Sequence, residues 1–327
     1  MHTAFAARTV ALAAGTALAL GLTACSDTGG KRALEQQAAA GGHANTPRMT
    51  VALITHSGPG DTFWDQVRKG AQDAADKDNV ELQYFADLDG AAQARLVRQA
   101  VDKKVDGIAV TLSKPEAMTK EVTAAVDEGI PTVALNGGME EWQDMGVSAF
   151  FGQDEVIAGE AAGDRLTQDG AGKVLCVIHE QGNVGHEQRC EGVKKGFAET
   201  EKIYVTGTDM ANVESTITAK LQQDKDIDTI ITLGAPFAMT AIDAAKTAGS
   251  QATITTFDLN DDAVAAIKDG RIAWAVDQQP YLQGYLAVDS LWLAKNKGAM
   301  PGGGEPVLTG PAFVDKGNVD LLEGQSR

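Results

Sequence analysis

From Met49 onward, short β-rich runs alternate with amphipathic helical stretches, and this alternation constrains the fold more than any other feature of the chain. It is typical of parallel sheets that carry helices on both faces. In the first helical stretch, residues 63–77, Phe63, Val67 and Ala74 recur on one face. The pattern therefore predicts an α/β fold built from doubly wound parallel sheets.

The alternation occurs in two series, one over residues 49–135 and one that starts after Gly152. We predict strands over residues 49–55, 80–85, 107–111, 132–135, 173–179, 203–207, 229–233, 253–257 and 272–276, with helices between them. A helix over 281–297, a Pro/Gly-rich loop over 298–306 and a strand near Val307 follow. These last elements could return to the first half, a crossing that the pattern alone leaves open.

The N-terminus has the features of an export signal followed by a lipid attachment site. An apolar stretch over residues 9–22 follows Arg8 and is too short to anchor the chain by spanning a bilayer. Leu22-Thr23-Ala24-Cys25 resembles a bacterial lipobox, which implies a signal peptide over 1–24 and diacylglycerol on Cys25. The alternative is a simple signal peptide with an incidental cysteine. Residues 25–48 are predicted to form a flexible tether.

Charge and cysteine content narrow the class of protein. The net charge of −17 over 327 residues argues against binding to DNA, RNA or an anionic lipid surface. In an exported chain Cys176 and Cys190 are free to form a disulfide, which would stabilise the fold by roughly 3 kcal/mol. The alternative is a pair of reduced buried thiols. No histidine spacing joins either cysteine to a metal site, and we predict no cofactor.

Seven segments carry a resemblance to a known family over nearly the whole exported chain. They are residues 51–56 with 61–64, 105–110, 129–133, 152–154, 189–192, 256–258 and 277–280. In this order and spacing the chain resembles periplasmic sugar-binding proteins of the ribose, galactose and inositol type, the solute receptors of ABC importers. The resemblance implies the type I periplasmic binding protein fold, in which two doubly wound lobes are joined by three crossings and close about a hinge on a ligand.

The same resemblance implies a lobe division and a set of partners. The N-terminal lobe is predicted to comprise residues 49–153 plus 280–306, and the C-terminal lobe residues 154–279 plus 307–322. The implied ligand is a small sugar, cyclitol or related polyol. The implied partners are an ABC permease and its ATPase, reached by a monomer that the lipid anchor holds outside the cytoplasmic membrane.

A sugar site needs charged or amide groups for the hydroxyl rim and aromatic planes for the ring faces. By position in the family pattern, the candidate ligand contacts are Asp61, Phe63, Trp64, Asn136, Arg189, Asp258 and Gln278, with His56 and Asp154 as further candidates. Phe63 and Trp64 match a stacking pair, with core packing as the alternative. Asp61 has helix capping as its alternative role.

The side-chain chemistry of two candidates, Arg189 and Asp258, suits hydroxyl groups. The guanidinium of Arg189 can bind two hydroxyls at once. Asp258 follows an apolar strand, where a carboxylate can accept paired hydroxyl hydrogen bonds. Its alternative role, the cap of the next helix, is better served by Asn260.

The chain also departs from the ribose-type pattern. Leu112, Gly137 and Gly234 stand where those receptors carry a polar residue, arginine and asparagine. The loss of three rim contacts argues against ribose as the ligand. Deoxy sugars, cyclitols, branched pentoses and a cyclic quorum signal remain open.

Three other classes of protein are an enzyme, a transcription repressor and a sensor subunit. An enzyme would need a thiol from Cys176 or Cys190 with a base from His179 or His186, but export and pairing argue against a free thiolate. Transcription repressors with this fold begin with a DNA-binding helix-turn-helix, where this chain has an export signal. A sensor subunit that presents its ligand to a membrane kinase would share every feature named above.

Overall fold

The computed structural model describes residues 44–58 and 61–322. The predicted signal peptide, Cys25 and most of the predicted tether lie outside these residues. Among the helices of the described part, none is long and apolar enough to cross a membrane.

The N-terminal sheet has six strands in the order β11-β5-β4-β3-β1-β2. Its strands are β1 (Met49–Thr55), β2 (Val80–Ala86), β3 (Gly107–Thr111), β4 (Thr132–Leu135), β5 (Phe150–Gly152) and β11 (Val307–Leu308). Every pairing in this sheet is parallel. The sheet therefore has the doubly wound form predicted for the first half.

The C-terminal sheet repeats this order as β12-β10-β9-β8-β6-β7. Its strands are β6 (Val174–Ile178), β7 (Thr200–Tyr204), β8 (Thr229–Thr232), β9 (Thr253–Phe257), β10 (Trp274–Asp277) and β12 (Ala312–Asp315). All its pairings are parallel except β10 with β12, which is antiparallel. The two sheets confirm the predicted fold class.

Helices cover both faces of each sheet. They are α1 (Thr62–Asp78), α2 (Gly90–Asp102), α3 (Pro115–Asp127), α4 (Glu155–Asp169), α5 (Val184–Gly196), α6 (Met210–Gln223), α7 (Ala235–Ala248), α8 (Asp261–Asp269) and α9 (Pro280–Lys297), with a final 3₁₀ turn at Val319–Leu322. In β1, Val51 and Leu53 join one apolar cluster and Ala52 and Ile54 join another on the opposite face. Burial on both faces explains why the middle of this strand, residues 51–54, is continuously apolar.

Close helix pairing positions the parts of the chain nearest the cleft. The packing of α4 against α5 requires glycine, because a Cβ on Gly159 would lie 2.2 Å from the carbonyl oxygen of Arg189. The packing of α1 against α9 is equally close, since a Cβ on Gly284 would lie 1.9 Å from the carbonyl oxygen of Val67. The close packing of α4 against α5 fixes how near α5 lies to α4, and this in turn positions Arg189.

The chain passes between the sheets three times, after β5, after β10 and after β11. The last crossing differs from our prediction. Val307 and Leu308 pair with Phe151 and Gly152 of β5 in the N-terminal sheet, so they do not belong to the C-terminal lobe. Sequence analysis also missed β5 and β12, and it placed β7 three residues too late. β5 has 3 residues and β12 has 4, too few for a periodic pattern, so these strands are recognisable only from their partners.

The predicted disulfide is confirmed. Cys176 of β6 and Cys190 of α5 are bonded, with Cα atoms 5.9 Å apart. Both residues are buried. The bond therefore ties α5 to the sheet beneath it.

Candidate functional site

A cavity lies between the carboxyl ends of the strands of both sheets, where ligands of open α/β folds bind. Strand ends supply His56 after β1, Asn136 after β4, His179 after β6, Asp258 after β9 and Gln278 after β10. Helix starts add Asp61, Phe63 and Trp64 of α1, His186 and Arg189 of α5, and Phe237 of α7. The cavity volume is about 40 Å³, so the space between the lobes is small.

This cavity brings together all seven principal candidates from the sequence, and His56 as well. Asp154 does not line it. Its carboxylate instead accepts the Ile157 N–H at 2.9 Å and caps α4. Next to it, the buried Gln153 donates through Nε2 to Glu155 Oε2 at 2.8 Å. Side chains of the segment that crosses between the sheets after β5 therefore hydrogen-bond to each other.

Asp258 directly follows β9 and begins a hydrogen-bonded chain that spans both lobes. Gln278 Nε2 donates to Asp258 Oδ1 at 2.7 Å, and Asn136 Nδ2 donates to Gln278 Oε1 at 2.9 Å. Asp258 and Asn136 have φ of 65° and 67°, a left-handed conformation that Asp and Asn tolerate better than most residues. This conformation turns both side chains out of their strands and toward the cavity.

The electrostatic state of Asp258 follows from its burial. Desolvation raises its pKa to about 7, although the nearby Arg189 charge acts in the opposite direction. Asn260 caps α8 by accepting the Ala263 N–H at 2.8 Å, as the sequence argument expected. Asp258 is thus not needed as a cap, and its Oδ2 and the remaining lone pairs of Oδ1 are left for a ligand.

Arg189 is oriented by a buried ion pair that sequence analysis did not foresee. Its Nε lies 2.5 Å from Glu155 Oε2 and its Nη2 lies 2.8 Å from Glu155 Oε1, and both residues are buried. The guanidinium also lies 5.2 Å from the ring centre of Phe257. Because Glu155 takes one side of the fork, Arg189 has only its remaining N–H groups to offer to a ligand.

Aromatic side chains reach the cavity from both lobes. Trp64 packs edge-on against Phe63, with ring centres 5.0 Å apart, and against His56, with ring centres 4.7 Å apart. Both Phe63 and Trp64 belong to the apolar core of the N-terminal lobe, so packing and cavity lining coincide in them. From the C-terminal lobe, Phe237 stacks on His179 at 3.8 Å.

Asp61 combines its two predicted roles in one side chain. Its Oδ1 accepts the Phe63 N–H at 3.1 Å as the cap of α1, and the residue also lines the cavity. Burial raises the pKa of Asp61 to about 6. This carboxyl is therefore mostly ionised at neutral pH.

His179 and His186 are cavity residues that sequence analysis missed. Their rings lie 4.3 Å apart, and the Nδ1 atom of each is buried without a hydrogen-bond partner among the described residues. Desolvation lowers the pKa of His179 to about 3 and that of His186 well below its usual range, so both are neutral at physiological pH. The signal was present, because His179 follows a strand as Asp258 does.

A comparison with protein-family models matches residues 51–298 to a family described as "Periplasmic binding protein domain". The chain belongs to this family. A carbohydrate transporter from Acidothermus cellulolyticus 11B, solved in complex with myo-inositol, is 53% identical, with a TM-score of 0.84 and coverage of 84% of this chain and 97% of that one.

Curated relatives extend the comparison. A ribose import binding protein of Haemophilus influenzae is 29% identical over 251 residues, which cover 73% of this chain and 82% of the relative. A xylitol-binding protein of Mycolicibacterium smegmatis is 26% identical, with coverage of 95% and 86%. Both relatives of this periplasmic binding protein are named as binding proteins, which agrees with the prediction that it is not an enzyme.

The lobes of this periplasmic binding protein are closed on each other at the mouth of the cavity. Lys114 Nζ of the N-terminal lobe donates to Glu180 Oε1 of the C-terminal lobe at 2.9 Å. The Val184 N–H donates to the Ser113 carbonyl oxygen at 3.0 Å. On the side of α1, Gln66 Nε2 donates to the Leu259 carbonyl oxygen at 3.0 Å. These contacts cross between lobes and would break if the cleft opened.

His56 connects this closing contact to the cavity. Its Nδ1 lies 2.8 Å from Thr111 Oγ1, and its Nε2 lies 3.8 Å from Glu180 Oε2. Burial lowers the pKa of His56, although the Glu180 charge acts in the opposite direction. Within the described residues, no cluster of three or more His, Cys, Asp or Glu side chains is arranged to hold a metal ion.

Proposed function

We propose that this chain is an extracytoplasmic, lipid-anchored receptor that encloses one sugar-like polyol ring and delivers it to an ABC permease. Family membership supports the receptor class. The likeness to a ribose import binding protein and to a xylitol-binding protein supports a polyol ligand. The sequence resemblance to ABC importer receptors supports delivery to a permease by a monomer.

The composition of the cavity supports a cyclic polyol. Asp258 and Asp61 accept hydrogen bonds from hydroxyls, and Arg189 donates to hydroxyl oxygens. The neutral rings of His179 and His186 each have one donor and one acceptor nitrogen, which suits a hydroxyl that donates and accepts at once. Trp64 and Phe237 supply apolar surfaces from opposite lobes for the C–H faces of a ring.

Within this class we propose a cyclitol, with myo-inositol as the first candidate. The observation that carries this choice is the 53% identical structure that holds myo-inositol. The three departures from the ribose-type pattern point away from ribose.

Capture follows from the contacts that cross between the lobes. A ligand bound to one lobe adds contacts that exist only when the other lobe closes, so it shifts the population toward the closed form. The ion pair of Lys114 with Glu180 and the hydrogen bond from Gln66 to Leu259 then hold that form. A permease that recognises both lobes together would distinguish loaded from empty receptor.

Lipid anchoring rests on the lipobox at residues 22–25 and on the tether that follows. One acyl-bearing cysteine converts an exported soluble domain into a membrane-attached one. A tether over residues 25–48 would leave the folded domain free to reach a permease in the same membrane.

A thermal-shift screen tests the proposed function. The purified full-length chain is heated with myo-inositol, scyllo-inositol, D-ribose, xylitol, D-fucose, D-glucose and adenosine, since a ligand that binds only the folded state raises the melting temperature. We expect the largest shift with a cyclitol. A clear shift with a different ring would replace the cyclitol but keep the receptor, whereas no shift with any compound would contradict a polyol receptor.

A further inference from the structure

A second cavity adjoins the first and extends away from it along the C-terminal lobe. Its volume is about 270 Å³, against about 40 Å³ for the first. Asp61, His179, Glu180, Pro236 and Phe237 line both cavities. The two cavities are therefore neighbours that share a wall, and the second has the larger volume.

The walls of the second cavity combine five apolar side chains with polar ones that include Gln181, Thr206 and Thr208. Leu88 of the N-terminal lobe faces Val205, Met210, Pro236 and Phe237 of the C-terminal lobe. Val205 and Phe237 are almost fully buried, and they belong to the core of their lobe. The buried side chains of Val205 and Phe237 favour an apolar group at this part of the wall, because apolar surface removed from water stabilises a complex.

The stacked pair of His179 and Phe237 lies at the boundary between the two cavities. A ring held in the first cavity would thus lie next to the second, and one ring position would face it. We propose that the ligand is a polyol ring with an apolar substituent, such as an ether or an aglycone, that enters the second cavity. This inference rests on the proposed function and names a narrower ligand class.

The experiment compares a parent ring with its substituted forms by calorimetry on the full-length chain. The ligands are myo-inositol and its monomethyl and monobenzyl ethers at each ring position. We expect one position at which the methyl ether binds about fourfold more tightly than the parent and the benzyl ether at least tenfold more tightly, from the apolar area removed from water. Ethers at the other positions should bind more weakly, because the first cavity has no room for them.

A pair of variants locates the substituent. Thr208 is exposed and lines the second cavity, so Thr208→Trp should fill that space and remove the gain from the ether while leaving the parent affinity within twofold. The matched control is Thr247→Trp, also exposed and about 15 Å along α7 from Phe237 by helix geometry, which should keep the gain.

The outcomes separate this inference from the proposed function. If the parent ring binds and every ether binds at least tenfold more weakly, the second cavity takes no substituent and the inference is wrong while the receptor stands. A gain that survives in Thr208→Trp also overturns the inference, because the substituent then lies elsewhere. If neither myo-inositol, its ethers nor any ring of the thermal-shift screen binds, both proposals fail.

Discussion

Replacing Asp258 with asparagine should weaken ligand binding and at the same time stabilise the closed form of the protein. The substitution keeps the shape of the side chain, and asparagine tolerates the φ of 65° at this position. Its Oδ1 can still accept the hydrogen bond from Gln278, which directs the new amide nitrogen toward the ligand. A donor then stands where the carboxylate had offered acceptors.

The loss of affinity can be worked from the hydrogen bonds that a carboxylate accepts. Each hydrogen bond to a charged group contributes about 1.5–3 kcal/mol. We expect Asp258→Asn to weaken binding by roughly tenfold if one weak bond from a ligand hydroxyl is lost, and by on the order of ten-thousandfold if two strong ones are lost, where every ~1.4 kcal/mol is a factor of ten. Titration calorimetry with myo-inositol, or with the ring that gives the largest thermal shift, measures this change.

The gain in stability follows from the raised pKa of Asp258. A carboxyl with a folded-state pKa of about 7 holds its proton more tightly than in the unfolded chain, where the value is 3.8. Ionising it in the folded protein therefore costs stability as pH rises from about 4 to about 7, to a total on the order of 4 kcal/mol above pH 7. The asparagine variant avoids this cost.

Denaturant unfolding without added ligand at pH 5 and pH 8 tests the second half of the prediction, which applies to the closed cleft. The variant should exceed the parent in free energy of unfolding by more at pH 8 than at pH 5. Asp243→Asn is the control, because Asp243 is exposed on α7 and should change neither affinity nor stability appreciably. An affinity within threefold of the parent would remove Asp258 from the site, and equal stabilities at pH 8 would refute the argument from burial.

Three further perturbations test separate parts of the structure. Reduction of the bond between Cys176 and Cys190 should lower the free energy of unfolding by roughly 3 kcal/mol, seen as an earlier urea transition under reducing conditions; an unchanged midpoint would contradict it. Lys114→Met removes the ion pair with Glu180, which forms only in the closed cleft. Ligand should therefore dissociate a few times faster in stopped-flow measurements. An unaltered rate would mean that this contact does not hold the lobes together. Cys25→Ser should move the protein from the membrane fraction to the soluble fraction on cell fractionation, while retention in the membrane would refute lipid attachment at this residue.

Much of the fold was decided by local patterns that need no tertiary information. β1 is apolar from Val51 to Ile54 because both its faces are covered there, and this continuous run with the amphipathic α1 after it predicts a buried parallel strand. The pairing of Cys176 with Cys190 was among the alternatives from export and cysteine count alone. The placement of Asp258 after a strand that ends at the cleft is a rule of open α/β sheets. The identity of the other ligand candidates came from resemblance to a family and not from physical chemistry.

Only the tertiary structure decided which groups meet. Glu155 is an ordinary first-turn acid in sequence, but the close approach of α4 and α5 at Gly159 places it against Arg189 and occupies half of the guanidinium. His179 and His186 are 7 positions apart in sequence, yet the turn from β6 into α5 brings their rings together in the cavity. Val307 and Leu308 form a strand only because β5 offers a free edge. Periodicity reports which face of an element is buried, whereas contacts between elements depend on helix depth and sheet order, and neither is encoded locally.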